Sequence, residues 1–128
     1  MNDSFDPQQG PVIVAVEVRG PSGTASLQVA LDTGATTTLI NSSILVALGY
    51  DTAAATERTE ITTGSGVVFA ARIRVEKISA LGLEREGFPV LVHTLPPSAG
   101  VDGLLGLDFL RGRVLTIDFR NGLLRLNG

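Results

Sequence analysis

Apolar and polar residues alternate along much of the chain, and that alternation predicts strands. Val12, Val14, Val16 and Val18 alternate with Ile13, Ala15, Glu17 and Arg19, the period of two expected of a half-buried strand. "GPSG" at residues 20–23 reads as a turn. Ala25, Leu27, Val29 and Leu31 then share one face of a second run, so the two strands pair as a hairpin that delivers Asp32 at its far end. Residues 36–40 are rich in β-branched side chains and predict a further short strand. In "NSSILVALG", Asn41 or Ser42 offers an N-cap, Ile44, Leu45 and Leu48 an apolar stripe and Gly49 a stop, which predicts one short helix.

Residues 57–76 predict a long hairpin, with Val67, Phe69, Ala71, Ile73 and Val75 alternating after a tip at Gly64, Ser65 and Gly66. A further apolar strand is expected within residues 86–95, followed by a loop at "PPSAG". "VDGLLGLDFLRG" packs an apolar pair, a glycine and a short amphipathic turn together, and "RVLTIDF", "RNG" and "LLRLN" close the chain as a last hairpin. The sum is an all-β, barrel-like fold with one or two short helices. A weak internal echo, strand, Gly-containing loop, strand and short helix, occurs around Asp32 and again around Leu104, which suggests two related halves about one core.

Composition narrows the chemistry. The 128 residues suit one compact domain, and 44% hydrophobic against 18% charged residues place the chain well away from disordered compositions. A net charge of −3 supplies no basic field for a phosphate backbone, so no nucleic-acid partner is expected. With no cysteine and a single histidine, a thiolate or multi-histidine metal site within one chain is excluded and a histidine-based triad is disfavoured, which leaves carboxylates to do any chemistry. No metal or other cofactor is expected. No apolar run approaches the length of a bilayer span, so the expectation is a soluble chain, with a membrane involved only if it is a fragment of an anchored precursor.

The stretch "LDTGATTTLI", followed towards the carboxyl terminus by "GLLGLDFL" with a Gly-tipped hairpin between them, resembles the retropepsin-like aspartic proteases, the single-domain family of retroviral proteases and their bacterial relatives. The resemblance covers most of the chain and implies a closed retropepsin barrel, a bacterial member, a flexible segment over residues 1–10 and one domain over residues 11–128. It implies an aspartic endopeptidase acting on extended, mainly apolar peptide or protein segments, its own precursor among them. Hydrolysis by carboxylates needs two, one taking a proton from water while the other, protonated, polarises the carbonyl. The chain carries one Asp-Thr-Gly, so the resemblance implies a homodimer in which Asp32 meets its symmetry copy.

The family's roles then fall on Asp32, Thr33 and Gly34 as catalytic residues, with Thr33 bonding across the dimer axis. Ala35, Thr36, Leu104 and Leu105 would line the substrate site, and Gly64, Ser65 and Gly66 would form the flap that closes over the peptide. Retroviral members follow Asp-Thr-Gly-Ala with two acidic residues, one paired to an arginine after the second motif's glycine. Here Thr36, Thr37 and Leu107 stand at those places, so both partners of the ion pair are missing together. Of the other candidate acids, Asp108 is expected to cap a helix, Asp118 to alternate within a strand and Asp102 to lie in a loop; His93 is expected to be a strand or surface residue. The alternative to a peptidase is a catalytically silent retropepsin-like module that dimerises or binds peptides.

Overall fold

The computed structural model describes residues 2–63 and 66–128. The strands are β1 (Asn2–Ser4), β2 (Ile13–Gly20), β3 (Gly23–Leu31) and β4 (Leu39–Asn41), followed by helix α1 (Ser42–Ala47). Then come β5 (Glu57–Thr63), β6 (Gly66–Ala80), β7 (Leu83–His93) and β8 (Gly103–Leu105), helix α2 (Leu107–Leu110), β9 (Val114–Asp118) and β10 (Leu123–Asn127). Single 3-10 turns fall at Thr52–Ala54 and Pro97–Ala99. Gly64 and Ser65, expected at a hairpin tip, lie outside the described residues.

Strands β2-β3-β8-β4-β7-β6 lie side by side, and β6 pairs back onto β2 from Val16↔Ala80 to Arg19↔Lys77, which closes the ring into a barrel. Closure leaves the barrel strands no free edge. β5 pairs only with the early part of β6, so the two form an arm running off the barrel. Along the ring, β8 and β4 are antiparallel to each other, while β8 is parallel to β3 and β4 is parallel to β7. The repeat suspected in the sequence therefore has a structural counterpart: each hairpin, β2–β3 or β6–β7, is followed by a loop, a short strand and a helix, and each short strand docks on the other half's hairpin.

The alternation along β2 puts Val14, Val16 and Val18 inside, where they meet Leu27 and Val29 of β3, Val75 and Ile78 of β6, Val90 of β7 and Leu105 of β8. Leu45 of α1 and Phe109 of α2 are also fully buried there, with Phe109 edge-on to Phe88 at 5.9 Å. Each such side chain contributes about 1.5–3 kcal/mol by leaving water. Tyr50, after α1, ties the barrel's outside together: its hydroxyl donates to the Arg19 carbonyl at 2.7 Å and accepts the Glu76 N–H at 2.8 Å.

Within the segment 1–10 that the sequence reading set apart, Asn2–Ser4 form β1, which pairs with β10 from Asn2↔Arg125 to Ser4↔Leu123; Phe5 adds a backbone bond to Gly122 and an edge-on contact with Phe119. The polar run Asn2-Asp3-Ser4 has no alternation to read, because its pairing is made by backbone groups. Residues 36–38 do not join a strand, for a reason that belongs to the site below. Asp108 is not an N-cap; that position is Gly106, and Asp108 sits in the first turn of α2.

Candidate active site

Asp32 follows the last residue of β3. Its N–H donates to the Leu105 carbonyl at 3.0 Å, so β8 holds the strand end from the side. Its own carbonyl accepts the Ala35 N–H at 3.1 Å, which turns the chain, and the Gly34 N–H reaches back to Asp32 Oδ1 at 2.8 Å. A Cβ at Gly34 would lie 3.1 Å from that same Oδ1. Glycine here lets the amide approach the carboxylate without crowding it. Among the described residues nothing is bonded to Oδ2, which leaves one carboxylate oxygen anchored and one open.

The rest of the loop is bound to the start of α2. Leu107 N–H donates to the Ala35 carbonyl (2.8 Å) and Asp108 N–H to the Thr36 carbonyl (3.2 Å). The Asp108 carboxylate accepts the Thr38 N–H at 3.0 Å with both oxygens and the Thr38 hydroxyl at 2.7 Å. That hydroxyl in turn accepts the Gly106 N–H at 3.1 Å. These bonds take the Thr36 carbonyl and the Thr38 N–H, two groups that a strand over residues 36–38 would have used, and β4 begins only at Leu39. The crossing is tight: a Cβ at Gly106 would lie 2.8 Å from the Thr37 carbonyl carbon, and one at Gly103 would lie 2.2 Å from the Leu39 oxygen. The junction that lacks the retroviral ion pair is thus held by Asp108 and Thr38.

Above the loop lies a cavity of about 460 Å³. Asp32, Gly34, Ala35, Thr36 and Thr37 form one side, Leu39, Leu104, Leu91, His93 and Leu95 another, and Thr59, Glu60 and Ile61 of β5 approach from the arm. Of the expected site residues, the structure gathers Asp32, Gly34, Ala35, Thr36 and Leu104 here. Thr33 is exposed on the same loop but does not line the cavity, and Gly66 begins β6 away from it. Leu105 is no cleft residue: it is 1% exposed in the barrel core, because alternation along β8 turns it away from Leu104, and it serves the site through its carbonyl.

Residues missed in the sequence are those of the cleft wall. Val90 and Val92 face the barrel core, whereas Leu91, His93 and Leu95 take the alternate positions and line the cavity. The alternation is legible in "PVLVHTL", but both faces are apolar, so nothing in the pattern says which one meets a cavity. Asp102, expected in a loop, accepts the Gln28 N–H at 2.9 Å and donates its own N–H to the Gln28 carbonyl, which ties the loop before β8 to β3.

Residues 14–109 match the family model described as aspartyl protease, a span that holds both the Asp32 loop and the β8–α2 turn. The chain belongs to the aspartyl protease family. Its fold is similar to that of a retropepsin-like aspartic protease from Rickettsia conorii, with a TM-score of 0.70 at 21% identity, over 97% of this chain and 95% of that one. No curated protein matches it by sequence. Among the described residues no group of acidic and histidine side chains is arranged to hold a metal ion.

Proposed function

We propose that the chain is an aspartic endopeptidase active as a homodimer, with Asp32 and its symmetry copy sharing one proton. The observation that carries this reading is the state of Asp32: one oxygen is fixed by Gly34, the other is open, and the loop bearing it is half-exposed beside a cavity. Retropepsin-like proteins generally act as homodimers on peptides, and a second copy of the same loop would supply the carboxylate that one Asp-Thr-Gly lacks. Two carboxylates a few ångströms apart hold a single proton, so one is base and the other acid.

In the reaction, the ionised carboxylate takes a proton from a water between the two, and the water oxygen bonds to the peptide carbonyl carbon. The protonated carboxyl gives its proton to the carbonyl oxygen, forming a neutral gem-diol. Breaking the C–N bond then passes a proton to the leaving nitrogen and restores the shared proton. Thr33 would bond across the dimer axis, the Gly34 amide would keep Asp32 oriented, and the flap expected from the sequence at Gly64, Ser65 and Gly66 would close over the substrate. The apolar wall of Leu39, Leu91, Leu95 and Leu104 favours extended peptides with apolar side chains, and the chain's own precursor is a candidate substrate of that type.

The test pairs sedimentation with cleavage of a peptide library by the wild type and by Asp32→Asn. A concentration-dependent dimer and a loss of at least ~10³-fold in kcat/KM are expected in the variant. A strict monomer at high concentration, or equal cleavage by both proteins, overturns the reading.

A further inference from the structure

We propose that His93 is a specificity-determining residue, selecting a side chain that accepts a hydrogen bond, an amide or a carboxylate, at one position of an otherwise apolar substrate. The proposal rests on the peptidase reading above. His93 is the only histidine of the chain and stands at the end of β7 opposite Asn41 of β4. It shares the cleft face with Leu91 and Leu95 and is half-buried there. No hydrogen bond or ion pair among the described residues engages its imidazole. A half-buried donor between two leucines, with no partner among the described residues, faces what enters the cavity.

Strand geometry makes this a one-position effect. Alternate side chains of a strand stand about 6.6 Å apart, and those of an extended peptide have the same spacing. A peptide lying along the wall therefore sets one side chain against His93 and the flanking alternate ones against Leu91 and Leu95. An apolar side chain at the central place would cover the imidazole without bonding it, whereas an amide or carboxylate would satisfy it, a difference of about tenfold for one hydrogen bond.

The experiment measures kcat/KM on apolar peptides of about eight residues in which each position in turn is Glu, Gln, Leu or Lys. In the wild type, one position should favour Gln and Glu over Leu by about tenfold. His93→Leu should reverse the order at that position alone, and His93→Gln, which keeps a hydrogen-bond donor, should keep the Gln preference. A wild-type preference for Leu or Lys at every position, or the same profile in wild type and His93→Leu, overturns the proposal. Because His93 is the sole histidine, its imidazole proton signal gives a second measurement without cleavage. Titrating Asp32→Asn protein with the Gln and Leu peptides should move that signal further with the Gln peptide, which bonds the imidazole, than with the Leu peptide, which only covers it, and equal response to both overturns the proposal. Failure of the peptidase reading looks different: the wild type cleaves no peptide, or Asp32→Asn cleaves as well, while the imidazole titration still decides the role of His93.

Discussion

Thr38 is the one fully buried polar side chain among the described residues, and it has a partner for each of its groups. Thr38→Val keeps the shape but leaves the Gly106 N–H without an acceptor and Asp108 without its shortest donor. The expected cost is about 2–3 kcal/mol in urea unfolding, against under about 1 kcal/mol for Thr38→Ser. Because the same mesh fixes the loop carrying Asp32, kcat should fall more than KM rises. Asp118 shows the opposite, exposed use of a carboxylate: it ends β9 and is held below the ordinary carboxylate value of 3.8 by the Asn121 side chain first, then the Asn121 and Arg120 N–H groups. A pKa lowered by folding adds stability that is complete above about pH 4 and lost as pH falls through the folded value. Asp118→Ala should therefore lower the urea midpoint at pH 6, and the gap to wild type should narrow at pH 3.

Between elements, the β8–α2 turn passes tightly under the Asp32 loop. A methyl at Gly106 would press on the backbone of Ala35 and Thr37, neither of which can swing aside as a side chain would. Gly106→Ala should cost about 1–3 kcal/mol in unfolding and lower kcat/KM by more than tenfold, since displacement of a catalytic group by about 1 Å is enough. If the variant matched wild type in both, the loop would not depend on this crossing. The same junction explains what the sequence could and could not show. The β2–β3 and β9–β10 hairpins and α1 were legible because period, turn residues and caps agreed. Thr36–Thr38 looked like a strand because β-branched propensity is local, while their backbone partners come from Asp108, 70 residues away. The β6–β7 turn was hidden for a different reason: it uses Leu81 at φ 55°, a conformation rare for leucine, held by burial at 5% exposure. At the site, Asp32 was readable as the single Asp-Thr-Gly, whereas the wall of Leu91, His93 and Leu95 needed the barrel to decide which apolar face looks inward.

At the scale of the whole molecule, closure of the barrel consumes the edges of its six ring strands, and β10 is paired on both sides, by β1 and β9. The exposed Asp32 loop is then the surface on which a second copy would complete the proposed dyad. Such a site has a consequence that no monomeric enzyme shares: an inactive copy poisons an active one. Asp32→Asn removes the shared proton's base without touching the backbone bonds that shape the loop, so mixed dimers should form as readily as wild-type ones and be inactive. With wild type held constant and dimerisation saturated, adding one equivalent of Asp32→Asn should reduce activity to about half, and adding nine equivalents to about a tenth, because random pairing leaves those fractions of wild-type chains with a wild-type partner. Activity unchanged by the added variant, at concentrations where sedimentation shows exchange between dimers, would assign catalysis to a single chain and require a second acid from within it. The candidate would be Glu60, the other carboxylate lining the cavity among the described residues, and Glu60→Gln would then have to abolish cleavage.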